Sequence, residues 1–202
     1  MENTTINKRV CDFSKNIDII QTIAIFLTSL LVPTFLGQIL KGIFATDSIV
    51  VTNSQLIIGS IVNTALIIAA LNLKGWGKIL EVVTMPSIAT ILSGYVFKTA
   101  SVYMVYMIPA IWLGNMALVF CYKKIMLEKN KNYFLAGVIG IILKVAIIFG
   151  GFEILNLFRI FPQKMVATVQ TAMSITQTMT ATIGMLIAFI IYKIETRKQK
   201  NS

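Results

Sequence analysis

Histidine is absent from this 202-residue chain. The chain therefore lacks the most common metal ligand and the most common general base at neutral pH. It also lacks a GxxxxGK[ST] phosphate loop and has no HExxH or GxSxG motif, so the sequence indicates neither a P-loop ATPase nor a hydrolase of those classes. We predict that the protein is not an enzyme, uses no cofactor and binds no metal.

Cysteine and charge are scarce as well. Cys11 and Cys121 are the only cysteines, and both are predicted to lie on the cytoplasmic side, where thiols stay reduced. We expect no disulfide. Charged residues make up 13% of the chain and hydrophobic residues 56%, with a mean hydropathy of +0.81. These values lie outside the range of soluble domains, so the predicted surroundings are a lipid bilayer.

Several uncharged stretches are long enough to cross that bilayer, since a helix needs about 20 apolar residues to span a core of roughly 30 Å. We predict an all-α integral membrane protein, a bundle of about six transmembrane helices in one domain over residues 19–192. The predicted helices cover about 19–40, 49–72, 79–97, 101–122, 132–155 and 165–192. The third is the shortest, and because Lys98 alone separates it from the fourth, a re-entrant pair is an alternative.

The basic residues indicate the orientation. Of the 18 Lys and Arg residues, thirteen fall in segments on one predicted side, four on the other, and Lys144 lies within a span. This bias predicts that the richer side is cytoplasmic. We expect a multi-pass protein of a bacterial inner membrane with a cytoplasmic N-terminal segment, 1–18, that lacks signal-peptide features, and a cytoplasmic tail, 193–202. The same distribution attributes the net charge of +10 to topology and not to nucleic acid.

Lys144 lies near the middle of the fifth predicted helix. A lysine at that depth costs about 2.5–3.5 kcal/mol on insertion scales, so it is usually shielded, paired or functional. Gly137, Gly140 and Gly151 share its helical face, which predicts that the lysine points into the bundle. An anionic group on a ligand would supply the missing partner charge. The alternative is that Lys144 only joins helices, with its aliphatic stem covering apolar surface.

Consecutive helices cross the membrane in opposite directions. Other polar residues are therefore predicted to lie at the depth of Lys144 or nearer the outer surface. With Lys144 they are predicted to converge on one substrate-binding cavity in the outer half, walled by apolar residues such as Trp112 and Phe97. These residues are Gln38, Gln55, Asn63, Tyr103, Tyr106, Gln170 and Gln177. Each alone also fits a simpler role, either an interhelical hydrogen bond or, for the tyrosines, an interfacial anchor.

Small residues recur every four positions in the sixth predicted helix, at Thr176, Thr180, Gly184 and Ala188. Such a stripe lets another helix approach closely. We predict that it packs either against a helix of this chain or against another subunit.

Three segments, PTFLGQ (33–38), IPAIWLGN (108–115) and Gly137–Lys144, resemble parts of the substrate-binding S components of energy-coupling-factor transporters. The resemblance extends to six short helices without an ATPase motif. It implies a binding subunit for uptake of a small polar or anionic, vitamin-like micronutrient, working with a separate transmembrane coupling protein and cytoplasmic ATPases. It also implies a coupling contact on the first helix, where Ala24 and Thr28 partly match the family's alanine pair. The alternative is a membrane structural or assembly factor without a ligand.

Overall fold

The structure, a computed structural model, describes residues 19–20, 22–44, 48, 53–93 and 101–201. These residues are almost entirely helical and contain no strand. Five of their helical segments are long and apolar enough to cross a membrane. The predicted all-α, multi-pass membrane bundle is therefore confirmed.

Seven helices make up the described part of the chain. We number them α1 (Thr22–Ile43), α2 (Ser54–Asn72), α3 (Trp76–Ser93), α4 (Val102–Glu128), α5 (Tyr133–Leu157), α6 (Gln163–Met173) and α7 (Ile175–Asn201). The last of the five apolar segments, Gln163–Arg197, joins α6 to most of α7. The helix α3 is not among the five, because Lys78, Glu81 and other polar residues lower its mean hydropathy.

Some of the predicted bounds lie outside the described residues, and others differ from the observed ones. Residues 1–18, 49–52 and 94–97, which include the predicted N-terminal segment and two predicted helix ends, lie outside the described residues. The predicted single helix 165–192 is two helices, because the backbone leaves helical geometry at Ser174, with φ −114° and ψ −84°. The Ser174 hydroxyl donates to the Gln170 carbonyl at 2.6 Å, an interaction that often bends helices.

Short connections follow from ordinary turn chemistry. Gly75, between α2 and α3, has φ +91°, a conformation that only glycine adopts without strain. Asn132 precedes α5 and its side chain accepts a hydrogen bond from the Phe134 amide at 2.7 Å, which caps the helix. Pro162 directly precedes α6. These turns make the helices antiparallel neighbours.

Two separate apolar clusters form the core. The large cluster joins α2, α3, α4, α5 and α7, and its fully buried members include Leu66, Val82, Leu118, Tyr122 and Ala188. The small cluster joins α4, α5 and α6, and its members include Met104, Ile148, Phe152, Phe161 and Met173. Along α5, Ile141 belongs to the large cluster and Ile148 to the small one. Lys144 therefore lies in a layer between the two clusters.

A close and extensive helix contact joins α2 to α7. A Cβ atom added to Gly184 would lie 2.6 Å from the Asn63 Cβ and 3.0 Å from the Ser60 carbonyl oxygen. The Thr64 hydroxyl also donates to the Gly184 carbonyl at 3.3 Å. One turn further on, Ala188 is fully buried. We call this contact the α2–α7 seam; it places the small-residue stripe against a helix of the same chain.

Candidate functional site

The site centres on the side chain of Lys144. This residue is only 2% exposed, although its helix is otherwise apolar. Its Nζ atom donates a hydrogen bond of 2.5 Å to the Oδ1 atom of Asn63 on α2. A buried ammonium group is thus held by a neutral amide oxygen.

Asn63 is itself held in one orientation. Its Nδ2 atom donates to the Gly59 carbonyl at 2.8 Å and to the Thr180 hydroxyl at 3.3 Å. The Thr180 hydroxyl in turn donates to the Gln177 carbonyl at 3.2 Å. Because both amide protons of Asn63 have acceptors, its oxygen is the atom left to face Lys144. This chain of hydrogen bonds links α5, α2 and α7.

A cavity of about 80 Å³ opens beside this chain, between α2, α3, α4, α5 and α7. Apolar groups of Ile58, Val62, Pro86 and Ile111 contribute to its wall. Nine polar side chains line the rest: Gln55, Asn63, Ser87, Thr90, Asn115, Lys144, Thr176, Gln177 and Thr180. Polar groups from all five helices therefore reach the cavity, although apolar atoms make up most of its lining.

The wall between α3 and α4 is organised around Pro86. A proline inside a helix leaves a carbonyl of the preceding turn without its usual donor. In that turn, the Val83 carbonyl accepts a hydrogen bond of 3.4 Å from the Asn115 amide. The Trp112 indole N–H donates to the Ser87 hydroxyl at 2.7 Å. Two side chains of α4 thus hold the part of α3 around Pro86 against the cavity.

Several donors at the cavity have no acceptor within the described part of the chain. The Gln55 and Gln177 amides and the Thr176 hydroxyl make no hydrogen bond there, and Lys144 makes only the one to Asn63. A lysine ammonium carries three donors, so two of them remain. The arrangement can therefore donate several hydrogen bonds to one small acceptor placed in the cavity.

No carboxylate among the described residues lines the cavity. The described acidic residues are Glu81, Glu128, Glu153 and Glu195. One of them, Glu128, forms an ion pair of 2.5 Å with Lys124, and neither residue lines the cavity. Within residues 19–20, 22–44, 48, 53–93 and 101–201, no three His, Cys, Asp or Glu side chains form a group that could hold a metal.

The structure brings four of the eight predicted ligand contacts to the cavity: Lys144, Gln55, Asn63 and Gln177. The other four do not line it, which corrects the predicted convergence. Gln38 and Gln170 are exposed, Tyr106 is 55% exposed, and Tyr103 packs against the small cluster. The direction in which each of these side chains points depends on how its helix is rotated in the bundle.

The predicted coupling residues on α1 lie away from the cavity. Ala24 is exposed and Thr28 is partly buried, with its hydroxyl donating to the Ala24 carbonyl at 2.8 Å. Both line an apolar groove of about 370 Å³ between α1, α2 and α7.

Sequence reasoning missed Ser87 and Thr90 as cavity residues and assigned Thr176 and Thr180 to packing alone. The spacing of Ser87 and Thr90, three residues apart just after Pro86, is the signal that could have found them, because positions i and i+3 share a helix face. Thr180 in fact has both roles, since it contacts Gly59 across the seam and accepts from Asn63.

The fold and the cavity define a class: a multi-pass α-helical membrane protein with a buried lysine beside a cavity in its bundle. Comparison with protein-family models, with curated proteins and with solved structures found no match for this chain.

Proposed function

We propose that this chain is a membrane-embedded binding subunit for uptake of a small polar or anionic solute. The observation that carries the proposal is the buried Lys144, which lies in a cavity supplied with amide and hydroxyl donors. Burying a cation and several amides within a membrane is costly, so such groups usually mark a solute pathway or binding site. An apolar bundle of the same size would need none of them.

Energy for uptake would come from other subunits, since the chain has no phosphate-loop motif. The resemblance to S components supports a separate transmembrane coupling protein and cytoplasmic ATPases as those subunits. The charge bias supports a bacterial inner membrane with both termini in the cytoplasm. A vitamin-like solute stays a prediction of the resemblance alone.

A membrane structural or assembly factor is the second candidate. The chain of hydrogen bonds from Lys144 through Asn63 to Thr180 favours it, because these bonds join three helices without any ligand. Interhelical hydrogen bonds of this kind contribute about 0.6–2 kcal/mol each. The two candidates differ in the role they give to the cavity donors that have no acceptor among the described residues.

Native mass spectrometry of the gently purified protein tests the proposal. We expect spectra that contain a retained small molecule, an attached coupling protein with its ATPases, or both. Spectra with neither, recorded under conditions that keep such complexes intact, contradict the uptake role.

The variant Lys144→Met separates the two candidates. A ligand-contacting lysine predicts normal abundance in the membrane and loss of the retained small molecule. A lysine that only joins helices predicts lower abundance instead. Lys164→Met is the matched control, because Lys164 is an exposed lysine on α6 and should change neither quantity.

A further inference from the structure

We propose that the cavity binds a compact anion with oxygen acceptors, the size of acetate or inorganic phosphate. This inference names the solute class for the proposed binding function and rests on it. Its starting point is the balance of charge at the site, which has a cation and no described carboxylate.

Charge complementarity is the first argument. Lys144 is almost fully buried and its one described partner, Asn63, is neutral. Ammonium groups in such surroundings are normally paired with an opposite charge. A negatively charged solute in the adjoining cavity supplies that charge next to the two donors that Lys144 has left.

The orientation of the neighbouring amides is the second argument. Asn63 is locked with its oxygen toward Lys144 and cannot offer a proton to the solute. Among the described residues, no acceptor takes the side-chain donors that Gln55, Gln177 and Thr176 have at the cavity. An oxyanion accepts several hydrogen bonds at once, and bonds to a charged acceptor are stronger than those to a neutral one.

Size is the third argument. The cavity volume of about 80 Å³ exceeds the roughly 30 Å³ that one water occupies in the liquid and is smaller than the roughly 150 Å³ cavity that holds benzene. Pockets for drug-sized ligands enclose about 300–1,000 Å³. The space therefore suits a solute of a few non-hydrogen atoms.

Acetate and acetamide provide a matched pair of probes, because they share shape and size and differ in charge. Thermal unfolding of the purified protein is recorded with increasing acetate, phosphate or acetamide, and the ionic strength is held constant with sodium chloride, whose anion has no oxygen acceptor. A ligand that binds only the folded state raises the unfolding midpoint once its concentration exceeds its Kd. Isothermal titration calorimetry then gives the affinities.

We expect acetate or phosphate to raise the midpoint and acetamide to leave it unchanged. Whichever anion gives the larger rise distinguishes a carboxylate from an inorganic oxyanion. Lys144→Met should weaken anion binding at least tenfold, whereas Lys164→Met should bind like the wild type. Equal effects of acetate and acetamide, no effect of either anion, or full anion binding by Lys144→Met would overturn the inference.

The acetate and acetamide comparison on the wild type decides the inference even if Lys144→Met fails to fold. The two proposals also fail separately. Anion binding without any retained solute or partner in native spectra contradicts the uptake role and keeps the anion site. A neutral retained solute together with binding of acetamide keeps the binding role and contradicts the anion site.

Discussion

The small apolar cluster and the polar cavity are neighbours in the same bundle, and α4 and α5 contribute to both. In the cluster, fully buried side chains such as Ile148 and Phe152 fill the space between the helices. One turn away, nine polar side chains surround space that protein atoms leave open. Packing explains the first region. It does not explain the second, where polar groups are buried beside unfilled volume, so function is the better reason for it.

The largest effect on stability should come from a substitution in the small apolar cluster. Phe152 is fully buried and its ring lies 5.4 Å from that of Phe161. Phe152→Ala should destabilise the protein by about 3–5 kcal/mol, since such a change leaves a cavity in a packed core. Thermal unfolding in detergent measures the loss. Phe158→Ala is the control, because Phe158 is 74% exposed, and an equal loss there would contradict the proposed core.

The second-largest effect on stability should come from a substitution at the α2–α7 seam. A methyl group on Gly184 meets α2 at distances of 2.6–3.0 Å, so Gly184→Ala should cost about 1–3 kcal/mol through overpacking. Gly150 lies on α5 with nothing within 4 Å of an added Cβ, and Gly150→Ala should have no such cost. Midpoints of thermal unfolding compare the two. Equal midpoints would contradict the close approach of α2 and α7 at Gly184.

In the polar layer around Lys144, a substitution should affect binding more than stability. Replacing a buried charge by an apolar side chain of similar volume is often neutral or stabilising, but Lys144→Met also removes the donor to the Asn63 oxygen, so the unfolding free energy should fall by no more than about 2 kcal/mol. Its binding of the proposed anion should nevertheless be lost. A large loss of stability measured in the absence of added anion would favour the structural role of Lys144.

The smallest effect on stability should come from Gln55, which makes no hydrogen bond with the described residues. Gln55→Ala should leave the free energy of unfolding within about 0.5 kcal/mol of the wild type, as at other sites without such contacts. If its amide contacts the solute, calorimetry should show anion binding weakened severalfold. Gln170→Ala is the control, because Gln170 is exposed on α6 and does not line the cavity.

The kind of fold was predictable from hydropathy, because a segment that must satisfy its backbone in lipid has few options besides a helix. The burial of Lys144 was also predictable. Gly137 and Gly140 share its face, and both are buried with it against neighbouring helices. Such local signals depend only on helical spacing, which the order of residues contains.

Which polar residues meet was decided by the tertiary structure. Gln177 reaches the cavity and Tyr106 does not, although both were predicted to do so from depth alone. Depth follows from position along a helix, whereas direction follows from helix rotation, which packing such as the α2–α7 seam determines. The bend at Ser174 and the grouping of Ser87 and Thr90 with Lys144 likewise depend on contacts between helices. By itself the sequence determined the helices and the inward lysine, and the packing of those helices determined the cavity that surrounds it.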